Sequence, residues 1–274
     1  VGVARGRRGD LRNAGLIDHR RRDGGGPAGQ RPAFLGGRWV GRERCTIGTI
    51  MSASSLICEL ARQFYDLGWA TGTGGGICIR ENDRVIIAPS GVQKERMTPE
   101  QMFTLSIDGT VLDRPSDPEL RPSECSSLFL TAIRLRDAGA VIHTHSIHAV
   151  VASLLFDREF VISELEMIKG IEGMNYRDRL VVPIIENTAR ECDLAASLEE
   201  AIVAYPKTQA VLVRRHGVYV WGRDWVHAKT QAECYDYLFR AAAEMQRFGI
   251  PAAASKGVSD ASPSPRPTGS YARR

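Results

Sequence analysis

The chain has 274 residues, enough for one large domain or two small ones, and its formal net charge of +4 is unevenly spread. Residues 1–50 carry 11 arginines against four acids, a net of +7, so the remaining 25 basic and 28 acidic residues leave the rest at −3. A mildly acidic body argues against a nucleic-acid partner, and no apolar run approaches the roughly 20 residues that span a membrane.

Residues 1–50 also hold 12 of the 27 glycines and show no sustained apolar periodicity. Such a composition buries too little surface to offset the entropy of ordering, so it reads as a disordered basic leader. An organelle transit peptide fits poorly, because the stretch has no serine and a weak amphipathic pattern; a basic arm for RNA is a further reading. The first methionine is Met51, directly before a helix-like stretch, which suggests that translation starts there and that the leader is not native. The six cysteines form neither a Cys-x-x-Cys pair nor a disulfide-like framework, and with no secretory signal they read as reduced thiols in the cytoplasm.

From Ser54, the spacing of Leu56, Ile57, Leu60, Ala61, Phe64 and Leu67 predicts a helix capped by Ser54 or Ser55 and ended by Gly68. Thr71-Gly72-Thr73-Gly74-Gly75-Gly76 follows, then a short strand at Ile77–Ile79. Without the Walker lysine or the dinucleotide spacing, this turn does not point to ATP or NAD, but its bare backbone could receive an anion. The strand Val85–Ala88 leads into Pro89-Ser90-Gly91-Val92-Gln93-Lys94, which offers a hydroxyl, an approachable N–H and a positive charge. The plainer reading is a capped loop entering a helix near Thr98-Pro99-Glu100. A polar excursion over 106–122 holds a hairpin at Asp108-Gly109, and Ser123–Arg136 reads as a helix with Leu128, Phe129, Ala132 and Leu135 on one face.

Ala140-Val141-Ile142-His143-Thr144-His145-Ser146 is a β-branched run ending in two histidines. Residues at i and i+2 of a strand share a face, so His143 and His145 aim at one point. Alone, such a pair is as well explained by hydrogen-bonded strand-end histidines. A second apolar run, Ala210–Val213, leads into Arg214-Arg215-His216-Gly217, with Gly217 relieving crowding. Together they suggest a three-histidine metal site with an open fourth position, as catalytic zinc requires. A helix at His148–Leu155 (Val150, Val151, Leu154, Leu155), a strand at Leu180–Ile185 held to an edge or bulge by Pro183, and a polar helix near Cys192–Ala204 complete the middle. Gly217–Gly222 alternates as a strand, and a last helix runs from near Asp224 to Gly249, keeping Trp225, Ala228, Ala232, Tyr235, Leu238, Ala242 and Met245 on one face. Residues 251–274 read as a disordered tail. The order predicts one α/β domain over 51–250, a sheet covered by helices, with too many hairpins for an all-parallel sheet.

The glycine-rich turn, the Pro-Ser-Gly loop, His143-Thr144-His145 and Arg214-Arg215-His216-Gly217 resemble the class II aldolase/adducin family. Phe64–Trp69, Ala88–Arg96, Glu166–Gly170, Pro183–Thr188, Arg214–Gly222 and Glu233–Leu238 extend the resemblance over about residues 54 to 250. Within the family it leans toward the branch that dehydrates 5-methylthioribulose 1-phosphate in methionine salvage. The resemblance implies a three-layer α/β/α fold around a mostly antiparallel sheet and homotetramers with active sites near subunit boundaries. It also implies one Zn²⁺ per subunit on His143, His145 and His216, Glu166 as catalytic acid/base, and Cys125 against the substrate.

Residue chemistry adds Gly74, Gly75, Ser90, Gly91 and Lys94 as contacts for the phosphate of a small phosphorylated ketose. Glu124, where sugar-phosphate aldolases of the superfamily carry their glutamate, would instead support retro-aldol cleavage. A third reading is an adducin-like binding protein without catalysis, which would not need three ligands and a carboxylate. His19, His148 and His227 read as structural or surface residues, and Glu164 as a solvated charge.

Overall fold

The computed structural model describes residues 51–253. The expected leader at 1–50, and the expected tail beyond residue 253, lie outside the described residues. Helix α1 (Ala53–Asp66) begins earlier than expected, where the Ser52 side chain accepts from the Ser55 N–H, and it closes at Gly68, whose φ of +74° favours glycine. Ile57, Leu60 and Phe64 are its buried ridge. Burying each such side chain contributes about 1.5–3 kcal/mol, which holds a helix this short against the sheet.

The sheet has nine strands in the order β4-β3-β2-β1-β5-β9-β8-β7-β6. These are β1 (Gly76–Glu81), β2 (Arg84–Ile87), β3 (Phe103–Ser106), β4 (Val111–Asp113), β5 (Ala140–Thr144), β6 (Glu159–Ile162), β7 (Leu180–Ile185), β8 (Ala210–Val213) and β9 (Gly217–Gly222). Every neighbouring pair is antiparallel except β7 and β8. Side-chain alternation divides the core in two. Ile77, Ile142, Leu212 and Val220 face one layer, with α1, α3 (Ile147–Leu155) and α5 (Trp225–Arg247). Cys78, Val141, Val211, Val213, Tyr219 and Trp221 face the other, with α2 (Ser126–Arg136) and α4 (Ala195–Ala204). The expected α/β/α layering around a mostly antiparallel sheet is the fold observed.

Local differences have local causes. The helix expected near Thr98 is a single 3-10 turn, Pro99–Gln101, closed by a capping box between Thr98 and Gln101. The chain then leaves it as β3, because Phe103 and Leu105 are buried in register with Ile87 and Val85. Strand β6 has only four residues and gives too short an alternation to read. In α3 the buried residues are Ala149, Ala152 and Ser153, small side chains that pack toward α5, while Leu154 and Leu155 are exposed; Leu135 of α2 is exposed as well. Pro183 does not mark an edge strand, since β6 flanks β7 on the outside. The Ile184 N–H turns toward Arg158 of the β6 side, so Pro183 lacks its donor on the β8 side, where pairing starts only at Ile184.

Candidate metal centre and its surroundings

His143 sits on β5 opposite Tyr219 of β9, facing the α2/α4 layer. The two rings stack with centroids 4.1 Å apart and 8° between planes. The Val218 carbonyl lies 3.1 Å from His143 Nδ1 and must accept a proton from it, which leaves Nε2 aimed at the other two imidazoles. His145 follows just past the end of β5, fixed by its N–H donating to the Trp69 carbonyl at 2.8 Å. Its ring is accommodated by Gly74, where a Cβ would come within 2.3 Å of Nδ1.

His216 is not the last residue of a strand. It sits in the tight connection from β8 to β9, in which Arg215 takes φ +58° and the His216 N–H donates to Val213. Arg214 ties this connection down, pairing with Glu186 at 2.7 Å and donating to the carbonyls of Ser153, Phe156 and Asp157 at the end of α3. Gly217 allows the approach of β5, since a Cβ there would lie 1.9 Å from the Thr144 carbonyl oxygen. Asn187 orients the His216 ring, with its side-chain oxygen 3.1 Å from Nδ1.

The three Nε2 atoms converge. His145 Nε2 is 3.0 Å from both His143 Nε2 and His216 Nε2. Nitrogens held about 2.0–2.1 Å from a tetrahedral ion lie roughly 3.3 Å apart, so only a small adjustment separates this cluster from a ligand set. Burial, followed by the neighbouring imidazoles, depresses His145 to about 3 and His216 to about 4, leaving both neutral at neutral pH as ligation requires. For His143 and His216 the Nδ1 partners, the Val218 carbonyl and the Asn187 side chain, supply the orienting contacts that metal-binding histidines need. These three histidines could therefore hold a metal ion.

A carboxylate that the sequence reading missed completes the cluster. Glu191 opens the 3-10 turn Glu191–Leu194, and its Oε1 is 3.1 Å from His143 Nε2 and 3.8 Å from His216 Nε2. The same oxygen accepts from the Tyr219 hydroxyl, and the Cys125 thiol is hydrogen-bonded to the carboxyl. Although burial opposes ionisation, these donors and His143 hold Glu191 well below the usual carboxylate range. In sequence it is one acid in a polar stretch, with no spacing to the histidines that marks it.

Cys125, at the N-terminal boundary of α2, is buried beside Glu191 and Tyr219, and burial pushes its thiol well above the ordinary range. Lys94 is 3% exposed, and its ammonium donates to the carbonyls of Thr73, Pro89 and Val92 at 3.0, 3.4 and 3.2 Å. All three donors are thus spent on bracing the glycine-rich turn against the Pro-Ser-Gly loop, and none is left to grip a phosphate. Gly74 likewise donates to Thr71, and Gly75, at φ +69°, sits close under the His143 and Trp69 carbonyls. Ser90 uses its N–H on Arg121, but among the described residues its hydroxyl and the exposed Gly91 N–H have no partner.

Glu166 is not brought to the histidines within one chain. Strand β6 ends at Ile162, opposite Leu180 at the start of β7, whereas the histidine end of the sheet is marked by Ile185 and Val213. Glu166 follows on a 3-10 turn beyond that far end, 74% exposed and paired with Lys169 at 2.8 Å. Glu124 is exposed beside Cys125 and near Arg190, whose guanidinium is kept charged chiefly by Asp193 and last by Glu124. His148 pairs with Asp236 and His227 with its helix cap Asp224, the structural roles expected of them.

The Class II Aldolase and Adducin N-terminal domain family matches residues 55–243. A probable methylthioribulose-1-phosphate dehydratase of Drosophila grimshawi is 55% identical over 203 residues, covering 71% of this chain and 88% of that protein. One from Leishmania infantum is 54% identical over 203 residues, covering 72% and 90%. A probable bifunctional methylthioribulose-1-phosphate dehydratase/enolase-phosphatase E1 of Vitis vinifera is 52% identical over 219 residues, and there the chain spans only 41% of the relative's length. Among solved structures, an L-fuculose 1-phosphate aldolase shares the fold at a TM-score of 0.63 and 21% identity, covering 76% of this chain and 94% of its own. Among the described residues no helix is long and apolar enough to cross a membrane. The chain belongs to the class II aldolase and adducin family, grouped with its methylthioribulose-1-phosphate dehydratase relatives.

Proposed function

We propose that this chain is a hydro-lyase that converts 5-methylthioribulose 1-phosphate to 2,3-diketo-5-methylthiopentyl 1-phosphate in L-methionine salvage. It works in the cytoplasm as a homotetramer with one zinc ion per subunit on His143, His145 and His216. The observation that carries the reading is the convergence of three imidazole Nε2 atoms, each within 3.0 Å of another, in a chain 55% identical to a probable dehydratase of that substrate.

Bound zinc supplies Lewis-acid stabilisation of the charge that develops on the C2 oxygen. Glu166 takes the proton from C3 and, once protonated, gives it to the C4 hydroxyl as that group leaves as water; the C3–C4 enol so formed then gives up its hydroxyl proton and takes one at C4 to become the 2,3-diketone. Since Glu166 is exposed and remote from the histidines of its own chain, it serves the site of a neighbouring subunit, in keeping with an active site at a subunit boundary. Cys125 lies against the bound ketose. The Ser90 hydroxyl and Gly91 N–H receive the phosphate, Gly74 and Gly75 keep its approach free of side chains, and Lys94 contributes positive charge from behind the loop.

The test is product mass from the zinc-loaded protein. Loss of one water, abolished by a chelator and by Glu166→Gln, supports the dehydratase. Retro-aldol cleavage is the second reading, favoured by the position of Glu124 beside Cys125 at the histidine end of its own chain. A three-carbon phosphate fragment, lost in Glu124→Gln and kept in Glu166→Gln, would establish it.

A further inference from the structure

Helix α3 joins the segments that carry two of the three histidines. At its start, His145 leads directly into the cap residue Ser146, whose hydroxyl oxygen accepts from the His148 N–H at 3.1 Å and whose proton goes to Asp236 Oδ1 of α5. The other oxygen of Asp236 accepts from His148 Nδ1 at 2.9 Å, so one carboxylate grips the first turn of α3 twice. At the far end of α3, the Ser153 hydroxyl accepts from the Arg215 N–H at 3.0 Å, and Arg214 donates to the Ser153 and Phe156 carbonyls. The helix therefore also holds the two residues before His216. Nine helical residues make a stiff rod about 13 Å long, and this one packs on β9 and β8 between its two ends.

Apolar packing does little to fix this rod along α5. The residues that α3 buries are Ala149, Ala152 and Ser153, which offer no large side chain to lock one helix against the other. The polar contacts are of a different kind from an exposed ion pair: Ser146 is 2% exposed, the Asp236 side chain 19%, and they join two helices far apart in sequence. We infer that Asp236 is a positioning residue of the metal centre. Through Ser146 and His148 it fixes α3 on α5, and with it the spacing of His145 from His216. It touches neither ion nor substrate. The inference rests on the reading of the histidines as a metal site.

The experiment loads the full chain with Co²⁺ in place of Zn²⁺, records its visible spectrum without substrate, and measures zinc affinity by chelator competition. Asp236→Asn is expected to change the cobalt spectrum and to weaken zinc about 10-fold. A merely structural role would lower the melting temperature alone, as expected for Phe239→Leu, a core change on α5 that keeps the parent spectrum. Ser146→Ala and His148→Ala each break one of the two contacts, and each is expected to weaken zinc by less than Asp236→Asn does. Adding Ser146→Ala to Asp236→Asn should weaken zinc no further, since both act through one hydrogen bond. Parent-like spectrum and affinity in Asp236→Asn would overturn the inference and leave the metal site standing. Should Asp236→Asn not fold, parent-like affinity in both Ser146→Ala and His148→Ala overturns it. Failure of the parent to bind either metal overturns the metal reading and this inference with it.

Discussion

Tyr219 touches two members of the cluster at once: its ring stacks on His143 at 4.1 Å and its hydroxyl donates to Glu191. The pairing of β5 with β9 sets His143 directly opposite Tyr219, so sheet register, rather than loop conformation, fixes the deepest histidine. Rigid elements of this kind hold a site more closely than loops do.

Gly74 and Gly217 separate the site from the fold. In Gly74→Ala the new Cβ falls 2.3 Å from His145 Nδ1, so the ring must move. Metal affinity is expected to drop at least about 10-fold with a stability change within about 1 kcal/mol. In Gly217→Ala the Cβ would lie 1.9 Å from the Thr144 carbonyl oxygen, a backbone atom that cannot step aside, and the fold itself is expected to lose about 3 kcal/mol. Chelator competition and urea unfolding of the metal-free proteins check the two arms.

Lys94 acts as a brace. Lys94→Met leaves the Thr73, Pro89 and Val92 carbonyls without their shared donor, at a cost of about 1–3 kcal/mol. If the brace shapes the phosphate contacts, KM for the phosphorylated substrate rises more than kcat falls. Denaturant unfolding and steady-state kinetics measure both.

The metal-free protein should lose stability in mild acid. His145 and His216 titrate near 3 and 4 when folded, against the usual 6.5, chiefly because of burial. Between those values the unfolded chain binds protons that the folded chain does not, so stability is complete above about pH 6.5 and declines as pH falls through the window. The melting temperature of chelated protein is expected to fall from pH 7 to pH 5, and His145→Asn with His216→Asn should flatten the profile.

Glu166 should work across a subunit boundary. Homomers of His143→Ala and of Glu166→Gln are each expected to be inactive, one lacking a ligand and the other the base. Mixing them under conditions that exchange subunits restores activity, since some sites then combine an intact histidine set with an intact Glu166. No recovery after demonstrated exchange would confine Glu166 to its own chain, where it follows the end of the sheet opposite the histidines.

Much of this was legible in the sequence because it was carried by local pattern. The i, i+2 spacing of His143 and His145 survives as convergence even though His145 lies just past the strand, and Gly217 relieves crowding as its place after His216 suggested. What depended on tertiary placement was not legible. Glu191 reaches the cluster only because the turn after β7 folds back over Tyr219, and nothing in its neighbours distinguishes it from a solvated acid. Lys94 looked like a free charge because sequence does not reveal the three carbonyls that surround its ammonium. The exposed Leu154 and Leu155 show the same limit, since helical spacing alone did not identify the small residues that α3 packs toward α5.

The most direct test of the account is to incubate the zinc-loaded protein with 5-methylthioribulose 1-phosphate and follow the products by mass. The account predicts loss of one water per substrate, stopped by chelator and restored by zinc. Intact substrate beside protein that demonstrably holds zinc on His143, His145 and His216 would contradict it.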